Sequence, residues 1–291
     1  MSGTVLVKIP FVKMSGTGND FVMIDNRELR FDDAAKVAIT QAVCPRATAI
    51  GADGAIFLEP AVDLPHVKKS GHHFRMRYYN ADGSEAEMCG NGSRCISRFA
   101  NSLGYAPVAM AFQTPAGTVR GEVLGATKNS VTEVKVRLSD PAPIVQHKNV
   151  SAGGKTLEVY FTNTGVPHAC VFVEDVATFP IVEVGRALRY HDLFKPKGTN
   201  ANFIQVLGPG RIRLRTYERG VEDETLACGT GSVASALCTA VKHGFTSPVK
   251  VDVQSGEQVR IEFTRQGEVF RDTYLIGNVK ETFRGEFDWG V

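Results

Sequence analysis

The chain has 291 residues, of which 43% are hydrophobic and 22% are charged, and its formal net charge is +2. This composition is typical of a folded protein of about two domains and excludes a disordered chain, a collagen and a coiled coil. The near balance of charges argues against a nucleic-acid partner. No apolar run approaches the ~20 residues that span a bilayer, and the N-terminal residues lack a cleavage site. We therefore expect a cytoplasmic protein without a membrane partner.

Apolar segments, alternating or continuous, recur along the chain and predict strands. In the first half they are residues 4–9, 21–24, 55–58, 74–79, 108–113 and 131–138. In the second half they are residues 157–162, 169–173, 203–207, 212–217, 249–253, 259–263 and 274–279. Three or four helices complete the chain, which predicts a mixed, β-rich α/β fold.

Two amphipathic segments, residues 92–103 and 231–243, predict the main helices. Each is followed by a glycine, Gly104 or Gly244, at the position where a left-handed residue commonly ends a helix. Because few other segments have this periodicity, we expect these two helices to dominate the helical part of the fold.

The segments that lead into these helices share a pattern. Residues 85–93 read EAEMCGNGS, and residues 224–232 read ETLACGTGS. Their cysteines, Cys89 and Cys228, stand 139 positions apart (228 minus 89), and a tyrosine repeats at the same offset upstream of each. Matches in one register over several motifs indicate an internal repeat, which predicts two pseudo-symmetric halves.

Each repeat places a cysteine where a strand gives way to a Gly-x-Gly-Ser turn and a helix. Free N–H groups and the helix dipole favour a thiolate there and can lower the pKa of a cysteine from its usual ~8.5. One such cysteine would indicate a nucleophile. Two equivalent cysteines that approach a ligand from opposite sides of an interdomain cleft, one as base and one as acid, predict inversion of a stereocentre.

Other interpretations of the two cysteines remain open at this point. A disulfide or a metal site is one, although the spacings to Cys95 and Cys238 are not those of zinc ligands. The glycine-rich turns also resemble phosphate cradles but lack the lysine of a P-loop. The low share of cysteine, 6 in 291 residues, predicts reduced thiols. We expect no metal and no cofactor.

Six motifs, in this order along nearly the whole chain, resemble those of the diaminopimelate epimerase family. They are residues 15–21 (SGTGNDF), 79–85 (YNADGSE), 88–94 (MCGNGSR), 165–168 (GVPH), 199–201 (TNA) and 217–231 (YERGVEDETLACGTG). The resemblance implies a pyridoxal-independent enzyme that interconverts L,L- and meso-diaminopimelate in lysine synthesis. It also implies two domains, residues 1–136 plus 277–291 and residues 137–276, each a sheet wrapped around a central helix.

By the same resemblance, Cys89 and Cys228 are the catalytic acid–base pair, while His168 and Glu218 support catalysis. The resemblance assigns substrate binding to Asn19, Asn80, Gly90, Asn91, Asn200, Glu218, Arg219, Gly229 and Thr230. Arginine suits a carboxylate, glutamate an ammonium group, and asparagine other polar groups. The backbone N–H groups at the two helix N-termini would bind the reacting carboxylate.

The chain departs from the family pattern at Val166, where many members carry asparagine. Asn163, three residues earlier, could compensate at the distal end of the substrate. A relative acting on another amino acid, such as histidine or hydroxyproline, would keep both cysteines and alter that end. A non-enzymatic binding or redox-sensing protein is the alternative from another class. The expected partner is therefore an amino acid, and a homodimer is left open.

Overall fold

The computed structural model describes residues 6–126 and 129–290, so the first two residues of the predicted strand 4–9 lie outside the described residues. The chain forms two compact units. Unit 1 comprises Met1–Val136 and Asn278–Val291, and unit 2 comprises Arg137–Gly277.

Unit 1 is built from strands that surround one long helix. Its elements are β1 (Leu6–Gly16), β2 (Asn19–Asp25), α1 (Asn26–Leu29), α2 (Asp33–Val43), β3 (Gly54–Glu59), β4 (Phe74–Asn80), β5 (Glu85–Ala86), α3 (Gly90–Ser102), β6 (Ala109–Thr114), β7 (Gly117–Ala126) and β8 (Val131–Arg137). Strand β2 pairs in parallel with β3, β3 antiparallel with β4, β4 in parallel with β6, and β6 antiparallel with β7.

Unit 2 repeats this plan. Its elements are β9 (Val145–Ala152), β10 (Lys155–Asn163), β11 (Pro167–Phe172), α4 (Ile181–Arg189), a 3₁₀ turn (Asp192–Phe194), β12 (Asn200–Gly208), β13 (Arg211–Glu218), β14 (Asp223–Thr225), α5 (Gly229–His243), β15 (Val249–Asp252), β16 (Gln258–Gln266) and β17 (Val269–Gly290). Strand β11 pairs in parallel with β12, β12 antiparallel with β13, β13 in parallel with β15, and β15 antiparallel with β16. The last residues of β17 belong to unit 1, where they pair with β1.

The equal order of pairings lets individual positions of the two units be matched. On β2 and β3, Phe21 stands opposite Gly54, and on β11 and β12, His168 stands opposite Asn200. Phe21 and His168 therefore correspond. Two residues further along the second strand of each pair, Ile56 of unit 1 corresponds to Asn202 of unit 2.

The two long helices form the centres of the units. Helix α3 packs against β1, β2, β3, β4 and β7, and α5 packs against β10, β11, β12, β13, β15 and β16. Both are buried over most of their surface; in α5, for example, Val233, Leu237 and Cys238 are fully buried. A helix that is buried on several faces needs apolar or small residues all round, which the sequence of α5 provides.

The predicted mixed, β-rich α/β fold is confirmed. Each of the thirteen predicted apolar segments overlaps a strand, and each of the two predicted helices overlaps α3 or α5. Both helices begin two residues earlier than predicted, because Cys89 and Cys228 themselves precede the first helical turn. The expected left-handed glycines are present, with φ of 67° at Gly104 and 70° at Gly244.

Candidate active site

Cys89 lies directly before α3 with extended backbone angles. Its sulfur accepts a hydrogen bond from the backbone N–H of Gly92, with 3.3 Å between Sγ and N. The N–H groups of the first helical turn lack partners inside the helix, so they stabilise negative charge placed beside them. This geometry favours the thiolate form of Cys89, whose side chain is partly exposed.

A chain of hydrogen bonds orients two predicted substrate-binding residues of unit 1, Asn91 and Asn19. Asn91 Nδ2 donates to Asn19 Oδ1 at 2.6 Å, and Asn19 Nδ2 donates to Asp53 Oδ2 at 2.9 Å. At the other end, Arg94 Nη2 donates to Asn91 Oδ1 at 2.6 Å and to Thr17 Oγ1 at 2.8 Å. Both amide groups therefore have defined orientations, set by an acidic residue on one side and by a fully buried arginine on the other.

Asp53 belongs to a small charged network at the ends of β2 and β3. Arg46 Nη2 lies 2.6 Å from Asp53 Oδ1 and 2.8 Å from Asp20 Oδ1, and the buried Lys13 lies 2.8 Å from Asp20 Oδ2. Burial raises the pKa of Asp20, but hydrogen bonds from Arg46 and Lys13 outweigh it and hold the pKa below its usual value. The network keeps the carboxylate that orients Asn19 in a fixed place.

Asn80 ends β4 at the same edge of the sheet, opposite Gly54. Its backbone N–H donates to the carbonyl of Ser84 at 2.9 Å, and its Nδ2 donates to Ser84 Oγ at 3.1 Å. The side chain is thus held by the turn that follows the strand.

Cys228 lies directly before α5 and is 7% exposed. Its sulfur lies 3.6 Å from the hydroxyl oxygen of Thr230. The same hydroxyl lies 3.0 Å from His168 Nε2, and His168 Nδ1 lies 3.0 Å from Asn202 Nδ2. His168 therefore reaches Cys228 through Thr230.

The His168 ring is fully buried. Burial, with a smaller contribution from the positive charge of Arg219, lowers the pKa of His168 to about 3. The ring is therefore neutral near pH 7. A neutral ring can act on its neighbours by hydrogen bonding.

The second glycine of each turn leaves room for the side chain beneath it. A Cβ atom at Gly231 would lie 2.5 Å from Asn202 Oδ1 and 3.2 Å from Cys228 Sγ. At Gly92, a Cβ atom would lie 2.9 Å from Ile56 Cδ1. The same turn thus covers a polar side chain in unit 2 and an apolar one in unit 1.

Asn200, at the start of β12, joins two loop ends. Its Nδ2 donates to the carbonyl of Pro167 at 3.0 Å, and its Oδ1 accepts the backbone N–H of Arg219 at 2.8 Å. Arg219 donates to the carbonyl of Lys197 at 3.3 Å. Asn200 and Arg219 are thus brought into direct contact in unit 2.

Glu218, at the end of β13, is also held by a side-chain contact. Thr225 Oγ1 donates a hydrogen bond to its carboxylate at 2.9 Å.

The first two residues of each long helix present N–H groups that have no acceptor within the helix. They are Gly90 and Asn91 in α3, and Gly229 and Thr230 in α5. Their position suits a carboxylate. Asn163, by contrast, is exposed, and its side-chain oxygen accepts the N–H of Gly165 at 2.9 Å.

Several residues that shape the site were not predicted: Thr17, Asp53, Arg94, Asn202 and Thr216. Thr17 and Arg94 lie inside recognised motifs, but the sequence did not show which side chains they contact. The alternation of Asn200 and Asn202 in an otherwise apolar strand was the signal for Asn202, because residues two apart share one face of a strand.

The four remaining cysteines, Cys44, Cys95, Cys170 and Cys238, are buried. Burial raises the pKa of the Cys44 thiol to about 11. Within residues 6–126 and 129–290, no three histidine, cysteine or acidic side chains group so as to hold a metal ion. The helices described in these ranges include none that is long and apolar enough to cross a membrane.

Comparison with known proteins matches the chain to the family model of diaminopimelate epimerase over residues 11–141 and 160–281. The diaminopimelate epimerase of Aquifex aeolicus is 41% identical over 283 residues, which cover 94% of this chain and 96% of the relative. That of Archaeoglobus fulgidus is 40% identical over 292 residues, with 96% of each covered.

Solved structures with low sequence identity share the fold. A hydroxyproline epimerase from Agrobacterium vitis superposes with a TM-score of 0.67 at 15% identity, covering 97% of this chain and 92% of the other. A Bacillus anthracis phenazine biosynthesis protein of the PhzF family gives a TM-score of 0.69, also at 15% identity, covering 97% and 99%.

Proposed function

This chain belongs to the diaminopimelate epimerase family, as its motifs predicted, and we propose that it interconverts L,L- and meso-diaminopimelate with two cysteines as acid and base. The observation that carries the proposal is the thiol that each unit places at the N-terminus of its buried central helix. Neither cysteine forms a disulfide in the structure.

In the reaction, one cysteine as thiolate removes the α-hydrogen as a proton, and the other, as thiol, delivers a proton to the opposite face of the same carbon. The substrate leaves with inverted configuration, and the two sulfurs have exchanged their protonation states. The reverse reaction starts from that second state. The chemistry requires both sulfurs to reach one α-carbon.

Removal of an α-proton places negative charge on the carboxylate of the substrate. The N–H groups of Gly90, Asn91, Gly229 and Thr230 supply dipoles for that charge, since they begin the two helices. Such dipoles act strongly where water is excluded. They take the part that a cofactor electron sink would otherwise play.

The remaining polar groups of the substrate are assigned by residue type. Arg219 binds a carboxylate and Glu218 an ammonium group. Asn19, Asn80 and Asn200 complete the binding, with amides that are already oriented by protein partners. Preoriented groups lose little entropy when a substrate binds.

The test is incorporation of deuterium from deuterium oxide at the α-carbon of L,L-diaminopimelate. We expect incorporation together with formation of the meso isomer. L-Histidine and trans-4-hydroxy-L-proline serve as matched controls and should stay unlabelled. If neither L,L- nor meso-diaminopimelate gains deuterium at any concentration, the proposed activity is wrong, and labelling of a control amino acid would reassign the substrate.

The proposed place of action is the cytoplasm, in the synthesis of lysine and of peptidoglycan precursors. A homodimer stays a prediction, and sedimentation equilibrium of the purified chain measures it directly.

A further inference from the structure

Beneath Cys228 lies a continuous series of side-chain contacts, from Thr216 through Asn202, His168 and Thr230 to the sulfur. The distances are 3.0 Å from Thr216 Oγ1 to Asn202 Oδ1, 3.0 Å from Asn202 Nδ2 to His168 Nδ1, 3.0 Å from His168 Nε2 to Thr230 Oγ1, and 3.6 Å from Thr230 Oγ1 to Cys228 Sγ. Thr216, Asn202 and His168 are at most 2% exposed.

The direction of these hydrogen bonds follows from the Asn202 amide. Its Oδ1 accepts from the Thr216 hydroxyl, and its Nδ2 lies 3.5 Å from the carbonyl of Ala169, which can only accept. The amide nitrogen therefore faces His168 Nδ1, and it can only donate to that atom. Because Nδ1 accepts, the proton of the neutral ring is on Nε2.

The charged and titratable groups around the ring leave this assignment in place. Arg219 is the charged residue that acts on His168, and together with burial it keeps the pKa of the ring low. Cys170, two residues further along β11, faces Ser235 on α5 at 3.9 Å. The ring is neutral near pH 7, so only one of its two nitrogens carries a proton. Because Asn202 Nδ2 donates to Nδ1, that proton is on Nε2.

We infer that Asn202 is a positioning residue, which holds His168 as the Nε2–H tautomer so that the Thr230 hydroxyl donates its own hydrogen to the Cys228 sulfur. His168 Nε2–H donates a hydrogen bond to Thr230 Oγ1. The Thr230 hydroxyl can then donate its own hydrogen to the Cys228 sulfur. No proton is transferred along the series. A hydrogen bond to the charged form of an acid favours that form.

Unit 1 differs from unit 2 at two of the described positions that form this series. At the positions that correspond to His168 and Asn202 it carries Phe21 and Ile56, which can neither donate nor accept, and the Cys89 sulfur accepts a backbone N–H instead. The Asn202 series is therefore specific to the thiol of unit 2, and Cys89 serves as an internal reference for any test.

The first test uses the wild-type chain. With histidine labelled with ¹⁵N, the His168 resonances are identified by their loss in His168→Gln, and the shifts of the two ring nitrogens report which of them carries the proton. We expect protonated Nε2 and unprotonated Nδ1 at neutral pH. Protonated Nδ1 would overturn the inference.

The second test measures the ionisation of the thiol by its ultraviolet thiolate absorbance. It is made in the Cys89→Ser background, with Cys89→Ser/Cys228→Ser as the blank. For Asn202→Leu we expect about a tenfold lower ratio of thiolate to thiol at a given pH, which is about one pH unit in the midpoint. Should Asn202→Leu fail to fold, Asn202→Ile places there the residue that unit 1 carries at Ile56.

A double variant tells whether Asn202 acts through Thr230. We expect Asn202→Leu/Thr230→Val to have the same midpoint as Thr230→Val alone, since removal of the hydroxyl already breaks the series. Two shifts that add, or an unchanged midpoint in Asn202→Leu, would show that Asn202 has only a structural role.

The inference rests on the proposed function only in treating Cys228 as an acid–base group. Neither the tautomer nor the thiolate titration needs turnover. Failure of these tests therefore overturns the role of Asn202 alone, whereas failure of α-deuterium incorporation by the wild-type enzyme overturns the proposed function.

Discussion

The surroundings of Cys89 and Cys228 are alike in backbone and different in chemistry. Each cysteine precedes a long buried helix and is followed by a Gly-x-Gly-Ser turn. The Cys89 sulfur accepts a hydrogen bond from a backbone N–H, and the side chain beneath its turn, Ile56, is apolar. The Cys228 sulfur contacts a hydroxyl, and the side chains beneath its turn, Asn202 and His168, are polar.

Both units contain a thiol and a set of helix N–H groups. In the proposed mechanism, each of the two proton transfers needs both of these features. The group beside the sulfur differs: it is a backbone N–H at Cys89 and a side-chain hydroxyl at Cys228. Either group can stabilise a thiolate by hydrogen bonding. In the proposed mechanism, the two cysteines therefore have equivalent roles in the reaction but different environments.

Removal of either thiol should have the largest effect. We expect Cys89→Ser and Cys228→Ser each to lower the rate of epimerisation at least about a thousandfold, since a hydroxyl is far harder to ionise than a thiol and one of the two proton transfers is lost. Separate assays from the L,L- and the meso-isomer would show whether the two serines differ. Substantial interconversion by either variant would contradict the assignment.

The buried histidine of unit 2 predicts a pH dependence of stability. The pKa of His168 is lowered from 6.5 to about 3 in the folded chain, so between these values the unfolded chain binds a proton that the folded chain does not. The contribution is fully present above about pH 6.5 and is lost as the pH falls toward 3. The loss reaches about 5 kcal/mol in the free energy of unfolding, at about 1.4 kcal/mol per pKa unit.

Urea unfolding of the wild type and of His168→Gln between about pH 7 and 4 measures this effect. We expect the variant to lose less stability than the wild type as the pH falls. Equal losses in the two proteins would show that His168 is accessible to protons in the folded state.

The second glycines of the two turns should respond differently to alanine. At Gly231 the new methyl group would meet Asn202 Oδ1 at 2.5 Å, an atom held by hydrogen bonds, whereas at Gly92 it would meet the flexible end of Ile56 at 2.9 Å. We expect Gly231→Ala to lower the free energy of unfolding by about 2 kcal/mol. Gly92→Ala should cost less than about 1 kcal/mol, because alanine also favours the helix. Urea unfolding measures both changes. Equal losses of free energy in the two variants would show that Asn202 and Ile56 do not differ in how firmly they are held.

The sequence predicted most of the fold, because buried strands carry a regular apolar pattern. The strands β7 and β9 were missed for a physical reason. Strand β9 has only two buried residues, Val150 and Ala152, and β7 contains three glycines, so neither has a continuous apolar face. Helix α2 was missed although its N-cap, Asp32, is a recognisable helix start.

The site was predictable only in part. The repeat identified Cys89 and Cys228, and the family motifs identified residues such as Asn19. Partners such as Asp53 could not be assigned, because Asn19 and Asp53 are 34 residues apart in sequence and meet only through the pairing of β2 with β3. Contacts of this kind depend on strand register, which local sequence patterns do not specify.

The support of the asparagine amides gives the smallest expected effect and the last contrast between the units. In unit 2, the Asn200 amide is held by two backbone groups, so no side-chain substitution removes its support. In unit 1, the Asn19 amide depends on the Asp53 carboxylate. Asp53→Asn keeps the shape but weakens that hydrogen bond, and we expect KM for diaminopimelate to rise about three- to tenfold, the equivalent of about 1 kcal/mol. The value of kcat should change little, because neither thiol is touched.

The matched control is Arg46→Gln, which removes the ion pair to the same Asp53 carboxylate. The Arg46 side chain is 61% exposed, so this ion pair contributes little. A rise in KM in the control as large as in Asp53→Asn would show that the charge network as a whole, and not the orientation of Asn19, sets the affinity.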